Sequence, residues 1–254
     1  MQLSRPFLSV IAAIPSRATS RYRRRPQRER SVMAGATPDR SDLQTTALLH
    51  VDPYNDFISE GGKLWERCSQ TIEGVELLKH SRELIAAAEQ AGIVRFILPH
   101  RRWRLGDYDH WRHLSPSQRA IDAVRLFAAG EWGGEFREEF APSSTDVVVH
   151  EHWAASGFAN TDLDMQLKQR DIQRVVIIGM RANTCIDTTG RFAQELGYHV
   201  TLVRDAIGAF SWDEMNATFD LNAPTYAHAI VTTAELVAAL GGPAEPSAQA
   251  EVSA

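Results

Sequence analysis

The chain has 254 residues, 44% of them hydrophobic and 23% charged, with a formal net charge of −5. This is ordinary globular composition with enough length for a sizeable core, and nothing in its charge calls for nucleic acid or an anionic membrane as a partner. No apolar run approaches the roughly 20 residues needed to span a bilayer, and two cysteines at unrelated positions, Cys68 and Cys185, point to a reduced compartment.

Residues 1–42 read as an extension outside the fold. Eight arginines (Arg5, Arg17, Arg21, Arg23, Arg24, Arg25, Arg28 and Arg30) are balanced only by Glu29 in the first 30 residues. Such a segment is either an organelle transit peptide or an over-extended start, with Met33 the true initiator. The second reading is adopted, with disorder expected there and a cytoplasmic location for the protein. Residues 43–241 form the expected domain, and 242–254 a polar, disordered tail.

The first buried strand is expected over Thr46 to Val51, followed directly by Asp52-Pro53-Tyr54-Asn55-Asp56-Phe57 and the flexible Glu60-Gly61-Gly62. Ile72 to Ala91 has the period of one amphipathic helix that Gly92 ends. Ile93 to Leu98 reads as strand two. From His100 to about Pro142 no period is clear, and Ile121 to Ala129 is the best short-helix candidate. So long an excursion past a strand suggests a substrate-covering insertion. Asp146 to His150 reads as strand three, with Glu151-His152-Trp153 just beyond it. A helix over Thr161 to Arg170 has Asn160 or Thr161 as N-cap.

Val175 to Met180 is the fourth strand. A sharp turn through Gly179 to Thr184 follows, and Cys185 stands at the expected start of a helix, where free N–H groups and the helix dipole favour a thiolate. His199 to Val203 is strand five, ended by Asp205. Ser211 to Glu214 fits a capping box, as does Thr232 to Glu235 after a short sixth strand at Ile230 and Val231. Apolar strands alternating with helices predict an α/β fold, a doubly wound three-layer sandwich on a six-stranded parallel sheet.

Strands one, three and four each end in a polar group: Asp52, Glu151 with His152, and Cys185. Such ends share one edge of a doubly wound sheet. A thiol beside a base and a second ionisable group suits nucleophilic catalysis, with N–H donors from the turn before Cys185 for an oxyanion. Phe57, His100, Trp103, Tyr108, Glu151 and Trp153 are candidate substrate contacts. Cys68 reads as structural, and Asp56 as fixing its loop. No cofactor or metal is expected. The cluster Asp107, Asp109, His110 and His113 is read as a solvated polar loop rather than a metal site.

Three motifs together resemble the isochorismatase-like cysteine hydrolases. They are Asp52 to Phe57 with Gly61-Gly62, Ser156-Gly157-Phe158 with Thr161-Asp162-Leu163, and Gly179 to Cys185 with Thr189 and Ala193. They keep that family's order from about residue 46 to 240. The resemblance implies an Asp–Lys–Cys triad, with Asp52 as general base and Cys185 as nucleophile. It also implies a cis peptide between Met180 and Arg181, an oxyanion hole from the N–H groups of Arg181 and Cys185, and a homo-oligomer, dimer or tetramer. The lysine is missing: six residues before Phe158 stands His152, so His152, Glu151 or His100 takes its place. Metal-binding members follow strand two with an Asp-x-His pattern, where this chain has His100 and Arg102, a poor ligand set. The expected activity is hydrolysis of a C–N bond in a small amide, ureide or imide. The alternatives are vinyl-ether hydrolysis of an isochorismate-type substrate, which needs an acid but no thiol, and a non-catalytic ligand-binding or redox-sensing module.

Overall fold

Six parallel strands form one sheet in the order β3-β2-β1-β4-β5-β6. They are β1 (Thr46–Val51), β2 (Val94–Leu98), β3 (Val147–Val148), β4 (Arg174–Met180), β5 (His199–Gly208) and β6 (Ala229–Val231). The structure is a computed structural model that describes residues 40–241. Apart from residues 40–42, the expected N-terminal extension and tail lie outside the described residues. The helices are α1 (Arg40–Gln44), α2 (Asn55–Ile58), α3 (Trp65–Gly74), α4 (Leu77–Gln90), α5 (Pro116–Val124), α6 (Leu163–Lys168), α7 (Asp187–Glu195), α8 (Trp212–Asn216) and α9 (Thr233–Ala239).

Alternate residues of a strand face opposite sides of the sheet, and both sides here are buried. Ala47, Leu49 and Val51 of β1 pack with Val175 and Ile177 of β4 against Leu163 and Leu167 of α6 and Ala193 of α7. Their neighbours Leu48, Val176 and Ile178 pack on the other face against Leu84 and Ala88 of α4, with Leu236, Val237 and Leu240 at the edge. This explains why Ala47 to Leu49 of β1 and Val175 to Ile178 of β4 read as unbroken apolar runs. Among the described residues no helix is long and apolar enough to cross a membrane.

Several boundaries differ from the sequence expectation, each for a local reason. The single helix expected over Ile72 to Ala91 is two, because Glu76 takes a left-handed conformation (φ 52°) and turns the chain between α3 and α4. The helix expected over Ile121 to Ala129 lies earlier, at Pro116–Val124. There Ser115 and Gln118 form a reciprocal capping box with Pro116 in the first turn. Of the expected cap residues of α6, Asn160 is left-handed (φ 61°) and makes no cap, while the Thr161 hydroxyl accepts from the Leu163 N–H at 3.3 Å although Asp162 occupies the N-cap position. Strand five runs on through Asp205 to Gly208, where the register against β4 shifts. The Thr232–Glu235 capping box is complete. At Ser211 only half forms, since Glu214 is used elsewhere.

Candidate active site

The sheet order reverses between β1 and β4, and ligands of open α/β sheets bind beyond the carboxyl ends of strands at such a switch point. Val51 pairs with Gly179 at this edge. Gly179 has φ +112°, and a Cβ there would come within 2.2 Å of the Val51 carbonyl oxygen. Only glycine lets the two backbones approach this closely. Asp52 follows at once, itself left-handed at φ 52°, a conformation that aspartate tolerates better than most residues. Its N–H donates to the Leu98 carbonyl at 3.0 Å, which ties it to the end of β2.

On the β4 side a cis peptide joins Met180 to Arg181, as the family resemblance implies. The chain then enters a π-helical turn, Ala182–Ile186, and only afterwards the α-helix α7. Cys185 therefore sits inside the turn rather than at the start of an α-helix. The N–H groups of Thr184 and Ile186 donate to the Arg181 carbonyl at 3.1 and 3.2 Å.

His152 arrives by a short parallel bridge with His100, extending the β2–β3 pairing. The His152 N–H donates to the Pro99 carbonyl at 2.9 Å, and the His152 carbonyl accepts from the Arg101 N–H at 2.8 Å. One carboxylate oxygen of Asp52, a ring nitrogen of His152 and Sγ of Cys185 lie within 4.8 Å of one another, all buried. The structure thus brings together the residues expected at the ends of strands one, three and four.

Hydrogen bonding fixes the protons. Nδ1 of His152 is 2.6 Å from the Ala154 carbonyl, which only accepts, so Nδ1 carries hydrogen. Nε2 lies 3.1 Å from Oδ1 of Asp52, and the His100 N–H donates to the same oxygen at 2.7 Å. A proton therefore lies between Nε2 and Oδ1. Burial alone lowers the affinity of His152 for this proton. The Asp52 carboxylate more than offsets it, and the pKa ends above its ordinary value. Oδ2 of Asp52 is buried with no hydrogen-bond partner.

The thiol behaves differently from the expectation of a helix-start thiolate. Burial, then the Asp52 charge, pushes Cys185 well above its ordinary pKa, against the pull of the Thr184 hydroxyl and the Arg181 N–H. Cys185 rests as the thiol, and a thiolate forms only when a base removes the proton. Cys68 is also buried, its thiol pushed up to about 12 by burial, and it packs in a separate apolar cluster.

The other candidates for the lysine's place are occupied. Glu151 meets Arg102 at 2.8 Å, Arg101 at 3.2 Å and Arg104 at 3.6 Å. His100 gives Asp52 its backbone N–H. Its ring stands edge-on to His152 at 5.0 Å and is held neutral by burial, then by His152, at a pKa lowered to about 4. Phe57 is buried against Phe127, with ring centres 5.0 Å apart. Tyr108 is buried, and Trp103 and Trp153 are half-buried, in the same apolar cluster as Tyr54 and Met180. Trp103 donates to Asp122 at 2.7 Å, and the Arg101 guanidinium covers Trp153 at 4.5 Å. Asp107 accepts from Arg101 at 2.6 Å and from the Arg104 N–H at 2.8 Å, so its carboxylate is committed to the loop. Asp56 fixes its loop, as expected, by accepting from the N–H groups of Lys63 and Phe127 at 3.0 and 2.8 Å.

Sequence reasoning missed Glu214. Both its oxygens lie 2.9 Å from Arg181, whose guanidinium also covers Phe210 at 3.9 Å, and together they anchor the residue after the cis bond. The only sequence signal was the capping-box pattern, which assigned Glu214 to a helix end. The Thr189 hydroxyl, accepting from the Gly157 N–H at 2.9 Å, likewise joins two motifs that are distant in sequence.

The family model described as the isochorismatase domain matches residues 46–235. Ureidoacrylate amidohydrolase RutB of Caulobacter vibrioides is 27% identical over 212 residues, covering 79% of this chain and 93% of that protein. Among solved structures, a cysteine hydrolase from Pseudomonas syringae pv. phaseolicola superposes with a TM-score of 0.68 at 25% identity, over 82% of this chain and 99% of its own. N-carbamoylsarcosine amidase from Thermoplasma acidophilum superposes with a TM-score of 0.57 at 27% identity, over 74% and 96%.

Proposed function

Because this chain belongs to the isochorismatase domain family, we propose that it is a cysteine hydrolase that cleaves the C–N bond of a small amide or ureide through a thioester. The observation that carries this reading is the buried grouping of Asp52, His152 and Cys185 within 4.8 Å. The similarity to a ureidoacrylate amidohydrolase and to a carbamoylsarcosine amidase supports the ureide and carbamoyl class of substrate.

In the proposed reaction Asp52 takes the proton from Sγ as the sulfur attacks the substrate carbonyl. Its free Oδ2 suits that task, because Oδ1 is already engaged by His152 and the His100 N–H. The C–S bond forms while the carbonyl electrons move to oxygen, and the N–H groups of Arg181 and Cys185 hold the oxyanion. Collapse of the intermediate breaks the C–N bond, and Asp52 returns the proton to the leaving nitrogen. Water, deprotonated by Asp52, then hydrolyses the thioester and restores the thiol. His152, whose pKa the neighbouring Asp52 raises, takes in this reading the place of the family pattern's lysine as the positively charged partner of the pair. Trp103, Tyr108, Trp153 and Phe57, which share one apolar cluster, are the substrate contacts in this reading. The cytoplasmic location and a homo-oligomeric assembly belong to the same reading.

The test is ammonia release from a panel of amides, ureides and N-carbamoyl compounds. Cys185→Ala and Asp52→Asn are each expected to lower kcat/KM on the best substrate by about 10³-fold or more. Turnover of an isochorismate-type vinyl ether, retained in Cys185→Ala but lost in Asp52→Asn, would instead favour acid-catalysed vinyl-ether chemistry. A thiol that oxidises or binds ligand with no turnover of any panel member would favour the sensing module.

A further inference from the structure

We propose that Asp52, His152 and Cys185 form a binding site for a thiophilic divalent cation of the zinc type, and that the ion acts as a reversible inhibitor by occupying the triad. The site itself stands on geometry. Only the inhibition rests on the catalytic reading above.

The donor set is one that zinc prefers: one thiolate, one imidazole and one carboxylate, with a fourth position left for water. The three donor atoms lie within 4.8 Å of one another. A tetrahedral zinc ion holds such atoms about 3.3–3.6 Å apart, so an inward movement of the order of an ångström completes the site. Two features go beyond proximity. Nδ1 of His152 is committed to the Ala154 carbonyl at 2.6 Å. This fixes the ring and leaves Nε2 as the ligating nitrogen, as backbone carbonyls do for metal-bound histidines. Oδ2 of Asp52 is buried and has no hydrogen-bond partner, an unsatisfied acceptor of the kind a cation satisfies.

Charge decides in favour of histidine. On binding, the dication displaces two protons, one from Sγ and one held between Nε2 and Oδ1. It then faces one thiolate, one carboxylate and a neutral imidazole. The sum is zero, as a fully buried site requires. A lysine at position 152 would present an ammonium to the ion and could not ligate it. The departure from the family pattern at His152 is thus what makes the site.

The full chain, reduced and freed of metal by chelator, should be titrated with Co²⁺ and followed in the near-ultraviolet and visible. The expected result is a thiolate-to-cobalt charge-transfer band that saturates at one equivalent and is displaced by Zn²⁺. The band should vanish in Cys185→Ser and persist in Cys68→Ser. His152→Lys and His152→Gln should each weaken Co²⁺ binding by about 100-fold or more, and having two variants separates ligand loss from a folding defect. A wild-type protein with no band at one equivalent, a band that survives Cys185→Ser, or binding within about threefold of wild type in folded His152→Lys would overturn the proposal. The readout does not depend on turnover. A band without hydrolysis leaves the metal site standing and removes the catalytic reading, while hydrolysis without a band does the reverse.

Discussion

His152 stands where the resembled family pattern has a lysine, and its Nε2 lies 3.1 Å from Oδ1 of Asp52. Its ring makes the contact with Asp52 that the family pattern assigns to a lysine, yet it can be charged or neutral near physiological pH. Its pKa in the folded protein is raised above the ordinary 6.5. A raised pKa contributes stability that is fully present below the unfolded value and is lost as pH rises through the folded value. The stability advantage of wild type over His152→Gln, read as the difference in urea midpoint, is therefore expected to be largest below the unfolded value of about 6.5 and to shrink as pH rises through the raised folded value. A constant or widening gap would mean that His152 is not held charged by Asp52. Cys185, whose folded thiol burial keeps protonated, lowers the stability of both proteins alike above its unfolded pKa and so leaves that difference unchanged. Position 152 could be singled out from the sequence, by counting back from Phe158. Its protonation could not, because that is set by the Ala154 carbonyl and by Asp52, which lies 100 residues away.

At the scale of elements, β1 and β4 place Asp52 and Cys185, and Gly179 sets how closely the strands approach. Gly179→Ala puts a Cβ 2.2 Å from the Val51 oxygen at a φ of +112°. The predicted loss of stability is more than about 3 kcal/mol, measured by urea unfolding; a loss below 1 kcal/mol would show that the strand ends are free to part. The elements most legible in sequence were those with local causes. Both main strands appeared as apolar runs, and the Thr232–Glu235 box marked the start of α9 correctly. Elements were misplaced where a backbone conformation, rather than a pattern, decided. Glu76 interrupts an apolar period that reads straight through it. The π-helical turn at Ala182–Ile186 separates Cys185 from the helix that the same residues predict.

Across the molecule, the long segment after His100 folds onto the loop that follows Asp52. Tyr54 pairs with Phe136, the Asn55 N–H donates to Glu135 at 3.0 Å and the Arg137 N–H to Pro53 at 2.9 Å. Phe127 stands at the centre, stacked on Tyr54 at 4.6 Å and 5.6 Å from the His100 ring. Phe127→Ala is expected to cost about 3–5 kcal/mol and to lower turnover while thermal unfolding remains a single transition. A separate early transition would show that the segment is an independent lid. Arg95 and Asp146 tie the other end of this region to the sheet through a buried pair, with Nε donating to Oδ1 at 3.0 Å.

The sequence by itself determined the class of fold and the order of the six strands along the chain, and it pointed to Asp52 and Cys185 as neighbours at one sheet edge. Periodicity and turn chemistry are local properties, and parallel strands carry their terminal residues to one edge. Only the tertiary structure decided which of His152, Glu151 and His100 touches Asp52, that three arginines hold Glu151, that Glu214 anchors Arg181, and that Cys185 rests as a buried thiol. Those outcomes depend on distances between residues far apart in the chain and on exclusion from water, and neither is written in the order of the residues.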